Sequence, residues 1–171
     1  MVLSFQKTLS ASLKTIQLQH HKEFLVHQQE IKRTPALSDE LIALYGTHKW
    51  AVVDTLNQEY SHFLETPFDL YNWLHYKDHD EVAYFLNEAG SNVLSYSEFL
   101  APYKFHLWLG KKGFIIGIEQ KGKGFNAEEV NEKRMKDNEG AAFKFYRNCK
   151  STVFFDDPKE ARVVFMEYIF L

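Results

Sequence analysis

The stretch Tyr103–Phe125, YKFHLWLGKKGFIIGIEQKGKGF, decides how the chain is read. Two alternating apolar runs flank Gly110-Lys111-Lys112-Gly113, and the second ends in Glu119-Gln120-Lys121-Gly122-Lys123-Gly124. Period-two alternation on both sides of a short Gly-bounded turn predicts a β-hairpin. The Gly- and Lys-containing loop that follows leads to Asn126, a good N-cap with Glu129 three positions on, so a helix follows. That helix runs to about Cys149, with a break expected at Asn138-Glu139-Gly140. Ser151–Phe155 and Arg162–Phe170 are rich in Val, Phe and Ile and predict two more strands, with a turn at Asp156-Asp157-Pro158.

Upstream of the hairpin the pattern is helical. Phe5, Leu9, Leu13, Ile16, Phe24 and Ile31 recur at steps that suit one long amphipathic helix over residues 4–33, ended by Thr34-Pro35. Ser38 caps a short helix stopping at Gly46, and Thr47 a second one from His48 to about Leu64. Thr66-Pro67-Phe68-Asp69 starts a third, and Asp78-His79-Asp80-Glu81 a fourth that ends near Ala89-Gly90. The expected fold is therefore α+β. A mainly helical N-terminal half (1–100) packs on a four-stranded, largely antiparallel sheet (101–171), with one helix inserted after the hairpin. All 171 residues form a single domain.

Composition narrows the function. Hydrophobic residues are 45% and aromatics 16%, which excludes disorder. No apolar run is long enough to span a bilayer, and the N-terminal residues lack the pattern of a signal peptide. The single cysteine, Cys149, excludes an internal disulfide and suits a reducing, cytoplasmic setting. A net charge of −3 conceals an acidic segment at 35–100 and a lysine-rich one at 101–125. The chain is not a wholly basic nucleic-acid binder, but a local positive face is available.

Four constellations could carry chemistry. Alternation puts Glu119 and Lys121 on one sheet face, where a carboxylate can hold a divalent metal and a lysine can stabilise developing phosphate charge. Pairing Leu109 with Phe114 sets Lys104 opposite Glu119, so an ordinary cross-strand ion pair explains the same residues. Lys111, Lys112, Lys121 and Lys123 are candidate anion contacts. The last two lie in a loop before a helix N-terminus that matches no known nucleotide-binding pattern. His75 with His79 would share a metal on a continuous helix, as would His20, His21 and His27 on the N-terminal one. Asp156-Asp157 ends a buried-looking strand, where Asp157 before Pro158 is explained by capping. Cys149 is read as a packed small residue.

The order helix, hairpin, E-x-K, helix, strand resembles the core of the PD-(D/E)XK nuclease superfamily over residues 103–155. The resemblance implies a Mg²⁺- or Mn²⁺-dependent nuclease or phosphodiesterase with Glu119 and Lys121 as catalytic residues. Its metal would be held by Glu119 and a second acid such as Glu98, Asp156 or Asp157. The sequence departs from that pattern on the strand Tyr103–Leu109, which carries no Asp or Glu. The competing expectation is a non-enzymatic binding module without a cofactor, whose lysine-rich hairpin and loop contact a protein or an anionic ligand, nucleic acid included. The N-terminal helix offers a surface for homo-oligomerisation, and no membrane contact is expected.

Overall fold

The computed structural model describes residues 3–34, 38–76 and 80–170. In chain order the elements are α1 (Leu9–Ile16), β1 (Leu18–Lys32), α2 (Asp39–Glu59), α3 (Leu70–Tyr76) and α4 (Glu81–Tyr96). They continue with β2 (Phe99–Gly110), β3 (Gly113–Glu119), α5 (Ala127–Asp137), α6 (Ala141–Asn148), β4 (Thr152–Phe155) and β5 (Val163–Ile169). Among the described residues the fold is α+β, with one five-stranded sheet in the order β1-β2-β3-β5-β4 and every neighbouring pair antiparallel.

The fifth strand is the main correction. Residues 4–33 are not one helix: α1 ends after two turns, and the chain continues as β1 along the edge of the hairpin. Gln17 closes α1 in the left-handed conformation (φ 56°), its N–H donating to Leu13 and Lys14 carbonyls. Such a stop usually falls on glycine, so Gln17 gives no warning of it. Phe24 and Val26 then point to the helical side, opposite Phe105 and Tyr103, as period two requires. The 1–100 segment is thus not purely a helical layer. The expected helical stripe over 4–33 does not form, and the apolar side of α1 packs on this chain's own sheet.

Smaller departures have local causes. Gly46 does not stop a helix: α2 runs through it, since burial of Tyr45, Val52, Val53 and Leu56 outweighs a cost of about 1 kcal/mol for one glycine. Thr47 donates to the Ala43 carbonyl from within that helix and caps nothing. Asp69, not Thr66, caps α3 by accepting from the Asn72 N–H at 2.9 Å. Asp80 caps α4 by accepting from Ala83 N–H at 3.0 Å. Glu81 reaches away to the start of β4, accepting from the N–H of Lys150 and Ser151 and from the Ser151 hydroxyl. Asp78 and His79, expected in that cap and in a metal pair with His75, lie outside the described residues. The expected break after Asp137 is present, so two helices follow the hairpin instead of one: Asn138 is left-handed (φ 52°) and Gly140 has φ 85°.

The two sheet faces are covered unequally. One carries the main core, where α2, α4 and α6 bury Tyr45, Leu56, Phe85, Leu86 and Tyr146 against Phe105, Leu107, Phe114 and Ile116. On the other, α1 is the one helix among the described residues, and it sets Ile16 over Trp108, Ile115, Phe154 and Phe165. Glu167 is buried beneath α1 and is answered by Lys7 at 2.8 Å and by the Ser12 hydroxyl. The short helix leaves the β1 end of that face, and the far end of the hairpin, open.

Candidate functional site

The open face is built by register. β1 places His21 opposite Trp108, Glu23 opposite His106 and Leu25 opposite Lys104. β2 in turn places His106 opposite Gly117 and Lys104 opposite Glu119, the pairing that the sequence predicts. Gly117 is required here: a Cβ would come within 2.9 Å of the Trp108 ring and 3.2 Å of Phe165. Trp108 lies flat in the space this leaves, and His21 stacks on it at 4.7 Å and 5°. His106 stacks on both rings, at 5.1 Å from Trp108 and 5.3 Å from His21.

This stack brings three donor atoms together. His21 Nε2 lies 3.1 Å from His106 Nδ1, which lies 3.5 Å from Glu23 Oε1, and His21 Nε2 is 4.0 Å from the same oxygen. His106 is buried, while His21 and Glu23 are open to solvent. On its other side His106 turns Nε2 toward Glu119 Oε1 at 3.4 Å, a contact longer than a well-formed hydrogen bond. His106 holds the Glu119 carboxyl below the ordinary carboxylate range against the opposing effect of burial, and Lys104 assists. Burial, reinforced by His106, holds the His21 imidazole below its usual value, with Glu23 opposing. Glu119 is therefore engaged by a histidine, and Lys104 stands 3.9 Å from Glu23 instead of closing an ion pair with Glu119.

Beside this cluster a cleft of about 490 Å³ opens at the end of the hairpin. Lys104, Lys121 and Arg162 line it together with Glu119 and Asp156, and Leu25 and Val163 supply apolar wall. Lys121 reaches Glu30 on β1 and lies 5.7 Å from the Phe99 ring centre. Arg162 pairs with Glu160 at 3.1 Å. Asp156 is held as a turn acceptor, taking the N–H groups of Arg162 and Val163, both at 3.0 Å.

The other candidate residues are spread out. Lys111 and Lys112 form the hairpin turn, at the opposite end from Lys121 and Lys123, so the four lysines make two separate groups. The Lys111 and Lys112 amides donate to the Gln17 and Ile16 carbonyls at the end of α1. Gly110 must be glycine there, since a Cβ would meet the Ile16 carbonyl at 2.1 Å. In the loop after β3, Glu98 accepts from the Lys123 N–H at 2.7 Å, and the Phe125 and Ala127 amides donate to Ala161 and Pro158 carbonyls. An anion at that loop would be met by side chains more than by backbone. Asp157 accepts from the Lys159 N–H in its own turn. Of His20, His21 and His27, only His21 reaches another histidine ring, His106. His75 rests on Tyr71. Cys149 is buried, and burial next to Glu81 pushes its thiol up to about 12, the opposite of an activated nucleophile.

Sequence reasoning missed the pairing of His21 and Glu23 with His106. The H-x-E spacing was visible, but it sets both side chains on one face only in a strand. No helix of the described residues is long and apolar enough to cross a membrane. Comparison with protein-family models, with characterised proteins and with solved structures finds no match to this chain.

Proposed function

We propose that the protein is a binding module for an anionic ligand, seated in the cleft at the end of the hairpin. The observation that carries this reading is the gathering of Lys104, Lys121 and Arg162 from three separate segments around one concavity. Its volume is that of small-ligand sites, and its lining is more charged than is usual for them, which suits a charged ligand. Asp156 already accepts two backbone N–H groups and Glu119 already faces His106, so within the lining the three cations outnumber two acids that have partners of their own. A phosphate or carboxylate would exchange Glu30 and Glu160 for itself as the partner of Lys121 and Arg162. A cytoplasmic setting fits this reading, with the one cysteine buried and in no disulfide.

Calorimetric titration with inorganic phosphate, a nucleoside monophosphate and a short single-stranded oligonucleotide tests the proposal. Lys121→Ala and Arg162→Ala are expected to weaken binding about tenfold each, a typical loss for a charge-assisted contact. Binding that survives both substitutions but falls with Lys111→Ala and Lys112→Ala would move the contact to the hairpin turn and refute the cleft.

A second reading has one specific observation in its favour: Glu119, Lys121 and Asp156 line the same cleft. A Mg²⁺- or Mn²⁺-dependent phosphodiesterase would need Asp156 to leave its turn and Glu119 to leave His106 for a shared ion. Metal-dependent cleavage of DNA or RNA that Glu119→Ala abolishes would establish this reading, whereas anion binding indifferent to Mg²⁺ and Mn²⁺ supports the module.

A further inference from the structure

We infer that His21, Glu23 and His106 form a binding site for a divalent transition-metal ion of the zinc type, beside the cleft and made of residues that do not line it. The three donor atoms stand 3.1, 3.5 and 4.0 Å apart. A point equidistant from three atoms so spaced lies about 2.1 Å from each, the length of zinc–imidazole and zinc–carboxylate bonds. Two imidazoles and one carboxylate select a first-row transition ion over Mg²⁺ or Ca²⁺, which prefer all-oxygen sites. Three protein ligands on an open sheet face leave at least one coordination position to water, the pattern of a site that is not closed by protein.

A second observation points to the same ion. His106 is buried, its Nε2 has no well-formed hydrogen bond, and that atom is turned to Glu119 Oε1 at 3.4 Å. A histidine that offers one nitrogen to a metal and the other to a carboxylate is the usual way such a ligand is oriented and its tautomer fixed. The protons agree with this arrangement. With Nε2–H directed at Glu119, Nδ1 of His106 carries its lone pair toward His21 and Glu23. Metal-free, His21 donates its Nε2–H to that lone pair. To bind, His21 releases this proton to solvent or shifts to the other tautomer, and its exposed ring allows either. Stacking on Trp108 holds both rings in place, so two of the three donors are already ordered.

The test uses the untagged full chain, stripped with a chelator and titrated with Zn²⁺ alone by calorimetry, then with Co²⁺ read by visible absorption. Saturation at one ion per chain is expected, with a Co²⁺ spectrum of low coordination number. His21→Ala and Glu23→Gln, both at exposed positions that do not hold the core, are expected to weaken Zn²⁺ at least tenfold with an unchanged far-UV dichroism spectrum. Glu119→Gln is expected to weaken it tenfold or more while keeping one ion per chain. Absence of saturable Zn²⁺ binding, or binding of the same strength in His21→Ala and Glu23→Gln, would overturn the assignment.

Discussion

Glu119 faces His106, not the lysine directly across from it: its Oε1 lies 3.4 Å from the imidazole Nε2, while Lys104 turns to Glu23 at 3.9 Å. This one displacement joins the cleft to the histidine cluster, because Glu119 borders both. It also gives a pH signature. The carboxyl is held low in the folded chain, so its contribution is present above the unfolded value and fades as pH falls through the lower folded one. With the side chain 40% exposed, solvent screening limits the effect to less than about 1 kcal/mol. Glu119→Gln should lower stability by that amount at pH 7 and leave it unchanged near pH 2, as read by urea denaturation across the range.

Lys7 is expected to matter more. It meets a Glu167 carboxylate that is only 5% exposed, so removing the lysine leaves a buried charge with the Ser12 hydroxyl as its remaining partner. Lys7→Ala should cost about 3 kcal/mol and loosen α1 from the sheet. The double substitution Lys7→Met with Glu167→Met should recover most of that loss, since the buried charge disappears with its partner. Equal loss in the single and double variants would contradict this.

Gly117→Ala tests the stack. The added methyl would sit 2.9 Å from Trp108 and 3.2 Å from Phe165, both rigid rings, so one must move. A destabilisation of about 1–3 kcal/mol is expected, the range for overpacking. In a chain whose other tryptophans, Trp50 and Trp73, are replaced by Phe, the emission of Trp108 should shift with it. The displaced ring carries His21 and His106 along, so the same variant should bind Zn²⁺ more weakly.

Alkaline pH should unfold the protein steeply. Burial pushes the Tyr60 hydroxyl and the Cys149 thiol up to about 12, and raises Tyr45, Tyr103 and Tyr146 as well. Between about pH 9 and 12 the unfolded chain has released protons that the folded chain keeps. Stability therefore falls as pH rises, by about 1.4 kcal/mol per pH unit for each such group. A denaturation midpoint that stays level from pH 8 to 11 would falsify this. The same burial predicts negligible reaction of Cys149 with thiol reagents at pH 8 until denaturant is added.

The hairpin was readable from sequence down to its register, because alternation and the Gly-bounded turn leave one pairing of Leu109 with Phe114. The Ser38 and Asn126 caps were readable for the same local reason. β1 was not. Leu9, Leu13 and Ile16 do lie on a helix, and the spacing of Phe24 and Ile31 continues their period by coincidence. Most of β1 is exposed, so few buried positions impose period two on it. Losing β1 concealed the site, since the proximity of His21 and Glu23 to His106 is a property of strand pairing. The register position of Glu119 opposite Lys104 was readable, but its partner depended on the ring stack over Gly117, which no pairwise pattern contains.

An ¹H–¹⁵N NMR titration with inorganic phosphate separates the proposed cleft site from the hairpin turn most directly. Saturable shifts are predicted at Lys104, Gln120–Lys123 and Arg162, with Lys111 and Lys112 unmoved. Shifts confined to the turn, or none at tens of millimolar phosphate, would contradict the anion-binding cleft.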